Sequence, residues 1–396
     1  MSILAINAGS SSLKFSLHAL VDGKVQAGLL TGNIAGLEPG GAPDMRWSCR
    51  GQSGQRALAG AAGDPFRHAL TQLDHLLTDE LALPPPQAVA HRVVHGGQAF
   101  RASVVVTDAV LDQLQKLVAL APLHQRHNLA GIRAFRQAYP KLPQVACFDT
   151  AFHASLSELD YSFALPRELA EQGVRRYGFH GLSYQYIMGV LQERTALAGA
   201  RVLMAHLGNG ASLCAALDRR SCATSMGFSP LDGLMMGTRS GALDPGVLLY
   251  LLEQGWDHDR LQALLYRQSG LLGVSGVSAD MRRLRDDASP AAQRAIDLFT
   301  HRLVHECGAL IARLGGLDVL AFSGGIGEHD VVLRSQACAR LAYMGIRLDE
   351  SANRLAGGDA VRAIHADGSR AEVWVVPTDE GRVAAREAAA LIGDAT

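Results

Sequence analysis

The residues able to do chemistry in this chain stand singly beside glycines and hydroxyls, not in charged runs. The stretch Asn7-Ala8-Gly9-Ser10-Ser11-Ser12-Leu13-Lys14 puts small residues, hydroxyls and one cation into a turn. Glycine lets a ligand approach the backbone, and N–H and hydroxyl groups suit phosphate oxygens. The same residues also make an ordinary polar turn. His91 and His95 are four apart, a metal spacing on a helix. However, Val93-Val94 followed by Gly96-Gly97 reads as a strand ending in a loop, and no Glu follows His91 as a zinc protease requires. Arg92 at that strand end suits an anion better than its neighbours suit a metal. Asp149 closes the apolar run 144–148, either as a metal-coordinating or basic group at a strand end or as the cap of the next turn. His180 lies between Gly178-Phe179 and Gly181. Arg239 is the single cation of the Gly-rich loop 224–246. Glu380 follows the apolar run 373–376, a second carboxylate at a strand end.

These groups need elements to position them. Leu13, Phe15 and Leu17 alternate with Lys14, Ser16 and His18, so residues 3–17 read as strand, tight turn, strand. Residues 201–216 repeat that design around Gly208-Asn209-Gly210-Ala211-Ser212. Two such hairpins, each opening one half of the chain, suggest an internal duplication that holds a nucleotide in a cleft between halves and suits phosphoryl transfer. Between them, 65–83, 107–120, 129–138 and 184–195 read as helices, the last capped by Ser183, and 121–128 and 177–181 as loops. Residues 32–63 read as loops or short surface strands. Later, 247–254 reads as a short helix and 269–276 as a close-packed turn. A long helix follows, with Ser289 and Pro290 at its start and Gly315-Gly316 at its end. The strand 318–322 opens into Gly324-Gly325-Ile326-Gly327-Glu328, a loop without dinucleotide-binding spacing. Helices 330–343 and 381–392 complete the pattern.

Composition narrows the function classes. At 396 residues the chain fits two domains. Its 37 basic and 38 acidic residues leave no basic excess for nucleic-acid binding. No apolar run is long enough for a transmembrane helix, and the start lacks the charged region of a signal peptide. Six Cys without CxxC pairing suit a reducing compartment, so a cytoplasmic protein is expected.

Seven blocks in order carry a resemblance: Asn7 to Lys14, His91-Arg-Val-Val-His-Gly-Gly97, Phe148-Asp-Thr-Ala-Phe-His153, Tyr177 to Gly181, His206-Leu-Gly-Asn-Gly210, Met236-Gly-Thr-Arg-Ser-Gly241 and Gly324 to Glu328. Across essentially its whole length the chain resembles the acetate kinase family, which includes propionate kinases. The resemblance implies an α/β fold of duplicated ribonuclease-H-like domains, shared with actin, Hsp70 and sugar kinases, with a nucleotide cleft between them. It implies domains at 1–150 plus 382–396 and at 151–381, the second with the adenosine pocket and the interface of a homodimer. The implied reaction is reversible transfer of the ATP γ-phosphoryl group to acetate, with Mg²⁺ (or Mn²⁺), giving acetyl phosphate and ADP.

By motif position, the resemblance implies that Asn7, Lys14, Asp149 and Glu380 serve phosphate and metal. Arg92 and Arg239 hold the acyl carboxylate and the moving phosphoryl group, and His180 donates to that group. His206, Gly208, Asn209 and Gly210 form the second phosphate loop. Asp280, Met281, Arg282, Gly324, Gly325, Ile326 and Gly327 form the adenosine pocket, and Val94, Leu123, Phe179 and Pro230 the acyl pocket. An acceptor carboxylate titrates near ~4 and needs no general base. The obstacle is bringing an anion to a polyanion, which two Arg and a cation relieve. Gln125-Arg126, Ala223, Ala242 and Gly381 depart from the family pattern. Propionate or butyrate is the alternative acceptor, since one methylene shifts binding by only ~1–3 kcal/mol. An Hsp70- or actin-type ATP-dependent binding protein is the alternative class. It requires a large partner surface and leaves Arg92, Arg239 and His180 unused.

Overall fold

The structure is a computed structural model. It describes residues 1–38, 40–58, 65–358 and 360–393, excepting the side chains of residues 65, 122 and 123. The chain divides into two compact units, Met1–Phe152 with Asp379–Thr396, and His153–Thr378.

The described part of the first unit is built on an eight-stranded sheet. Its strands are β1 (Ser2–Ala8), β2 (Ser12–Val21), β3 (Lys24–Ala35), β4 (Asp44–Cys49), β5 (Gln52–Ala57), β6 (Pro86–Val93), β7 (Val104–Val105) and β8 (Gln144–Phe148), in the order β5-β4-β3-β2-β1-β6-β8-β7. β1 to β5 form an antiparallel meander, while β6 lies parallel to β1 and β8 parallel to β6. Alternation in β1 and β2 sends Leu4, Ile6, Leu13 and Leu17 into a core with Leu70, Leu73, Val89 and Phe135. The helix Glu380–Gly393 packs on the sheet as well, burying Val383, Ala384, Ala385 and Ala388. β8 is buried along its full length, as a parallel strand covered on both faces must be.

The described part of the second unit carries a six-stranded sheet of β9 (Arg201–Leu207), β10 (Ala211–Leu217), β11 (Arg220–Thr224), β12 (Val319–Ser323), β13 (Arg362–Ala363) and β14 (Glu372–Val375), in the order β11-β10-β9-β12-β14-β13. Its plan matches β3-β2-β1-β6-β8-β7 of the first sheet: an antiparallel trio, two strands parallel to the first of the trio on its other side, then an antiparallel edge strand. The duplication anticipated from two hairpins therefore extends to six strands of each unit, with β4 and β5 additional in the first. The helix Pro290–Leu314 packs across β9 to β11, with Ser289 Oγ accepting the Ala292 N–H at 3.2 Å and Gly315 at φ 71°.

Within 32–63 the short-strand alternative holds, β4 and β5 joining β3 at the edge of the sheet, while residues 39 and 59–64 lie outside the described ones. Several local expectations need correction. The expected loop 121–128 is the start of one helix, Pro122–Ala138, because proline fits the first helical position and both His124 and Gln125 donate backbone N–H to Ala121. The helix expected at 184 begins at Gly181, so Ser183 lies inside it and does not cap it. The turn at 269–276 holds a short helix, Gly270–Ser275, and the glycine loop after β12 winds into a helical turn, Gly324–His329.

Candidate active site

In the first unit the parallel strands end together. Arg92 leaves β6 and Asp149 follows β8. Arg92 Nε donates to Asp149 Oδ1 at 3.0 Å and Nη2 donates to Oδ2 at 2.6 Å, a bidentate pair. Glu380 Oε2, at the start of the last helix, lies 3.6 Å from Arg92 Nε. The Asp149 side chain is 1% exposed and that of Arg92 22%. Burial opposes the Arg92 charge, but the two carboxylates outweigh it and raise its pKa. Asn7 and Lys14 are register partners across β1 and β2. Asn7, Lys14, Arg92 and Glu380 all line one cavity of about 240 Å³. The sequence-predicted phosphate and metal residues of this unit are thus brought together.

Asn128 belongs with them, although the sequence reading missed it. Its Oδ1 accepts the Val94 N–H at 3.0 Å and its Nδ2 donates to the Ala8 carbonyl at 2.9 Å. It ties the end of β1 to the strand end carrying Arg92. The only signal was a polar residue on the apolar side of a helix read as loop. Gln125 is also buried and donates to the His95 carbonyl at 3.0 Å. Gly381 is explained by close approach: a Cβ there would lie 2.3 Å from Ser16 Oγ. His91 is no metal ligand candidate. It is buried, its Nε2 lies 2.6 Å from Gln144 Oε1, and burial holds its pKa down at about 4. Val94 is buried, and the Leu123 side chain lies outside the described residues.

In the second unit the hairpin turn after β9 faces three other segments. His180 sits at φ 60°, immediately before the helix Gly181–Gln192. Its Nδ1 lies 2.9 Å from Ser212 Oγ, and its ring lies tilted by 31° against that of His206 with centroids 4.4 Å apart. His206 Nδ1 is 2.8 Å from Ser183 Oγ. Arg239 Nη1 donates to the Pro230 carbonyl at 3.0 Å. A Cβ on Gly210 would lie 3.3 Å from His180 Nε2 and 3.7 Å from Arg239 Nη1. Both donors therefore converge on the bare backbone of the turn. Asn209 packs its Oδ1 where Gly237 has no side chain, and the Asn209 carbonyl accepts the Gly237 N–H at 3.0 Å. Gly324, at φ 74°, lies against the Leu207 backbone, which brings the 324–327 turn beside Gly208. Glu328 is not aimed at a ligand; its Oε1 accepts the Gly324 and Thr378 N–H groups.

Asp280 caps the helix Met281–Asp286 and holds the exposed Arg282, while Met281 is buried in the core. Phe179 and Pro230 are buried. His153 Nε2–H donates to the Phe179 carbonyl at 3.0 Å, which leaves Nδ1 to accept from Ser221 at 2.8 Å. Burial holds His153 and His95 near a pKa of about 4. Sequence reasoning placed Ser183 at a helix cap and Ser212 in the second hairpin without a site role for either, and did not single out Tyr184. The two in the first turn after His180 were open to recognition once the helix start was known.

Known proteins match this arrangement. The model for the Acetokinase family matches residues 2–386. The chain belongs to the acetokinase family. It is 48% identical over 388 residues to the acetate kinase of Rhodopseudomonas palustris, covering 97% of this chain and 96% of that protein. Among solved structures it is similar to Porphyromonas gingivalis acetate kinase, at 35% identity and TM-score 0.89 over 99% of each chain. It is also similar to a Francisella tularensis propionate kinase, at 34% identity and TM-score 0.88 over 98% of each chain. The chain is therefore an acetate kinase-type phosphotransferase, an enzyme with a carboxyl group as acceptor and ATP as co-substrate. Its two units carry sheets of related strand order. Among the described residues no helix is long and apolar enough to cross a membrane.

Proposed function

We propose that this enzyme transfers the γ-phosphoryl group of ATP reversibly to acetate, giving acetyl phosphate and ADP. The observation that carries the reading is the convergence of His180 Nε2 and Arg239 Nη1 on Gly210. A cation and an imidazole donor aimed at one glycine turn suit the equatorial oxygens of a phosphoryl group in transit. Asp149 spends both oxygens orienting Arg92, as expected where the acceptor is already ionised and no proton need be removed. Arg92 then meets the acyl carboxylate as a fixed fork. Lys14 and the His206, Gly208 and Asn209 turn hold phosphates. Asp280, Arg282 and the 324–327 turn bind the adenosine, with Met281 packing beneath.

The donors fit Mg²⁺. Asn7, through its amide oxygen, and Glu380 offer hard oxygen donors on the wall of one cavity, with Asp149 holding Arg92 beside them. That suits a hard cation that keeps waters and arrives with phosphates. When bound, Mg²⁺ supplies charge neutralisation on the nucleotide phosphates.

Two further assignments belong to this reading. The helix Pro245–Glu253 buries none of its residues and exposes Leu249, Tyr250 and Leu252, which supports a homodimer through the second unit. Six unpaired cysteines support a cytoplasmic enzyme. Light scattering tests the dimer. The reaction is tested by trapping acyl phosphate as hydroxamate with acetate, propionate and butyrate. Product is expected with acetate, and Arg239→Ala is expected to lower kcat at least 10²-fold. Absence of product from all three acids with folded, Mg·ATP-loaded protein would overturn the reading; preference for propionate would reassign only the acyl pocket.

A further inference from the structure

His180 is held from behind by two residues outside the family motifs. Ser212 Oγ lies 2.9 Å from His180 Nδ1, and the Tyr184 hydroxyl hydrogen-bonds the same Ser212 oxygen. Ser212 and Tyr184 are fully buried. Ser212 sits on β10 opposite His206, the position that Lys14 occupies opposite Asn7 in the first unit. One hairpin thus carries an exposed cation where its duplicate carries a buried hydroxyl.

One direction of the proton chain places the imidazole proton on the nitrogen that faces Gly210. Burial drives the Tyr184 pKa well upward, so the phenol keeps its proton, and its oxygen faces the backbone N–H of His206. Ser212 Oγ stands within reach to accept that proton. The Ser212 hydroxyl then has its own proton to give, and His180 Nδ1 faces it. An imidazole accepting at Nδ1 carries its proton on Nε2. That is the nitrogen aimed at Gly210 beside Arg239.

We propose that Tyr184 and Ser212 are positioning residues that fix His180 as the Nε2–H tautomer, so that it meets the phosphoryl group as a hydrogen-bond donor. The proposal rests on the reading of His180 as that donor. Neither residue touches substrate; each acts through the imidazole. Without the chain, Nδ1–H becomes accessible, and Nε2 would then present a lone pair to an anionic oxygen.

The test combines imidazole nitrogen spectra with kinetics on the full-length enzyme carrying ¹⁵N-histidine, the His180 signals being assigned by their loss in His180→Gln. A protonated Nε2 and unprotonated Nδ1 are expected in the wild type, and a mixture of tautomers in Ser212→Ala. Kinetically, Ser212→Ala is expected to lower kcat about tenfold with KM for ATP and acetate within about twofold, and Ser212→Thr to restore most of the loss. Tyr184→Phe, which keeps the ring in place, gives a smaller loss of the same kind and serves if Ser212→Ala fails to fold. Protonation of Nδ1 in the wild type, or a Ser212→Ala enzyme with unchanged spectrum and kcat, overturns the proposal. Full activity in His180→Ala would instead overturn the donor reading itself, whatever tautomer the wild type shows.

Discussion

Replacing Asp149 with alanine removes the group that holds Arg92. Two hydrogen bonds of 3.0 and 2.6 Å are lost, and a guanidinium is left largely desolvated. Breaking a fully buried ion pair costs about 3–5 kcal/mol. Here Glu380 remains 3.6 Å away and the Arg92 side chain keeps 22% exposure, so both soften the penalty. The expected loss is about 2–3 kcal/mol for the first unit. In a domain of this size each kcal/mol lowers the melting temperature by about 2–4 °C, so a fall of roughly 4–12 °C is expected. Scanning calorimetry measures it, and hydroxamate formation in parallel should fall at least 10²-fold as Arg92 loses its orientation. The companion Arg92→Met/Asp149→Ala should recover most of the stability but none of the activity, because the unpaired charge is gone. A single variant melting within about 1 °C of wild type, or a double variant no more stable than the single, would refute the reasoning.

Two other outcomes follow from buried polar groups. His91 has its pKa lowered from 6.5 to about 4 by burial, so the unfolded chain takes up its proton first. Its contribution is full above pH 6.5 and is lost as pH falls from 6.5 to about 4, amounting to up to about 3 kcal/mol. His91→Asn should therefore flatten the acid limb of stability measured by calorimetry at pH 7.5 and 5.0; equal slopes would show that His91 is not buried neutral. Arg334 is fully buried and donates to the carbonyls of Gly327, Glu328, Asn353 and Ala356. Arg334→Met should destabilise the second unit by about 3 kcal/mol and raise KM for ATP more than it lowers kcat, since the Gly324–His329 turn loses its anchor. An unchanged KM in steady-state kinetics would separate Arg334 from the nucleotide turn.

Local chemistry made much of this protein legible. Alternation around Asn7–Lys14 and around 206–212 specified two hairpins, because side-chain direction in a strand depends only on near neighbours. Ser289, Pro290 and Gly315 marked both ends of the long helix for the same reason. Arg92, Asp149, His180 and Arg239 stood out as candidates from residue type and motif. Where local signals were divided, reading failed. Residues 121–128 looked like a loop because Pro122 and polar residues hide a helix whose inner face is Gln125 and Asn128, and those residues are paid for only by backbone partners far away in sequence.

What only the tertiary structure decided is how the working residues are aimed. Sequence names Arg92 and Asp149, but the adjacent ends of β6 and β8 turn them into a bidentate fork. Sequence names His180, but folding alone sets its Nδ1 2.9 Å from Ser212 Oγ, 32 residues away, with the buried Tyr184 hydroxyl hydrogen-bonded to the same oxygen. Residue types are properties of single positions, whereas orientation and tautomer come from hydrogen bonds between positions that only folding makes neighbours.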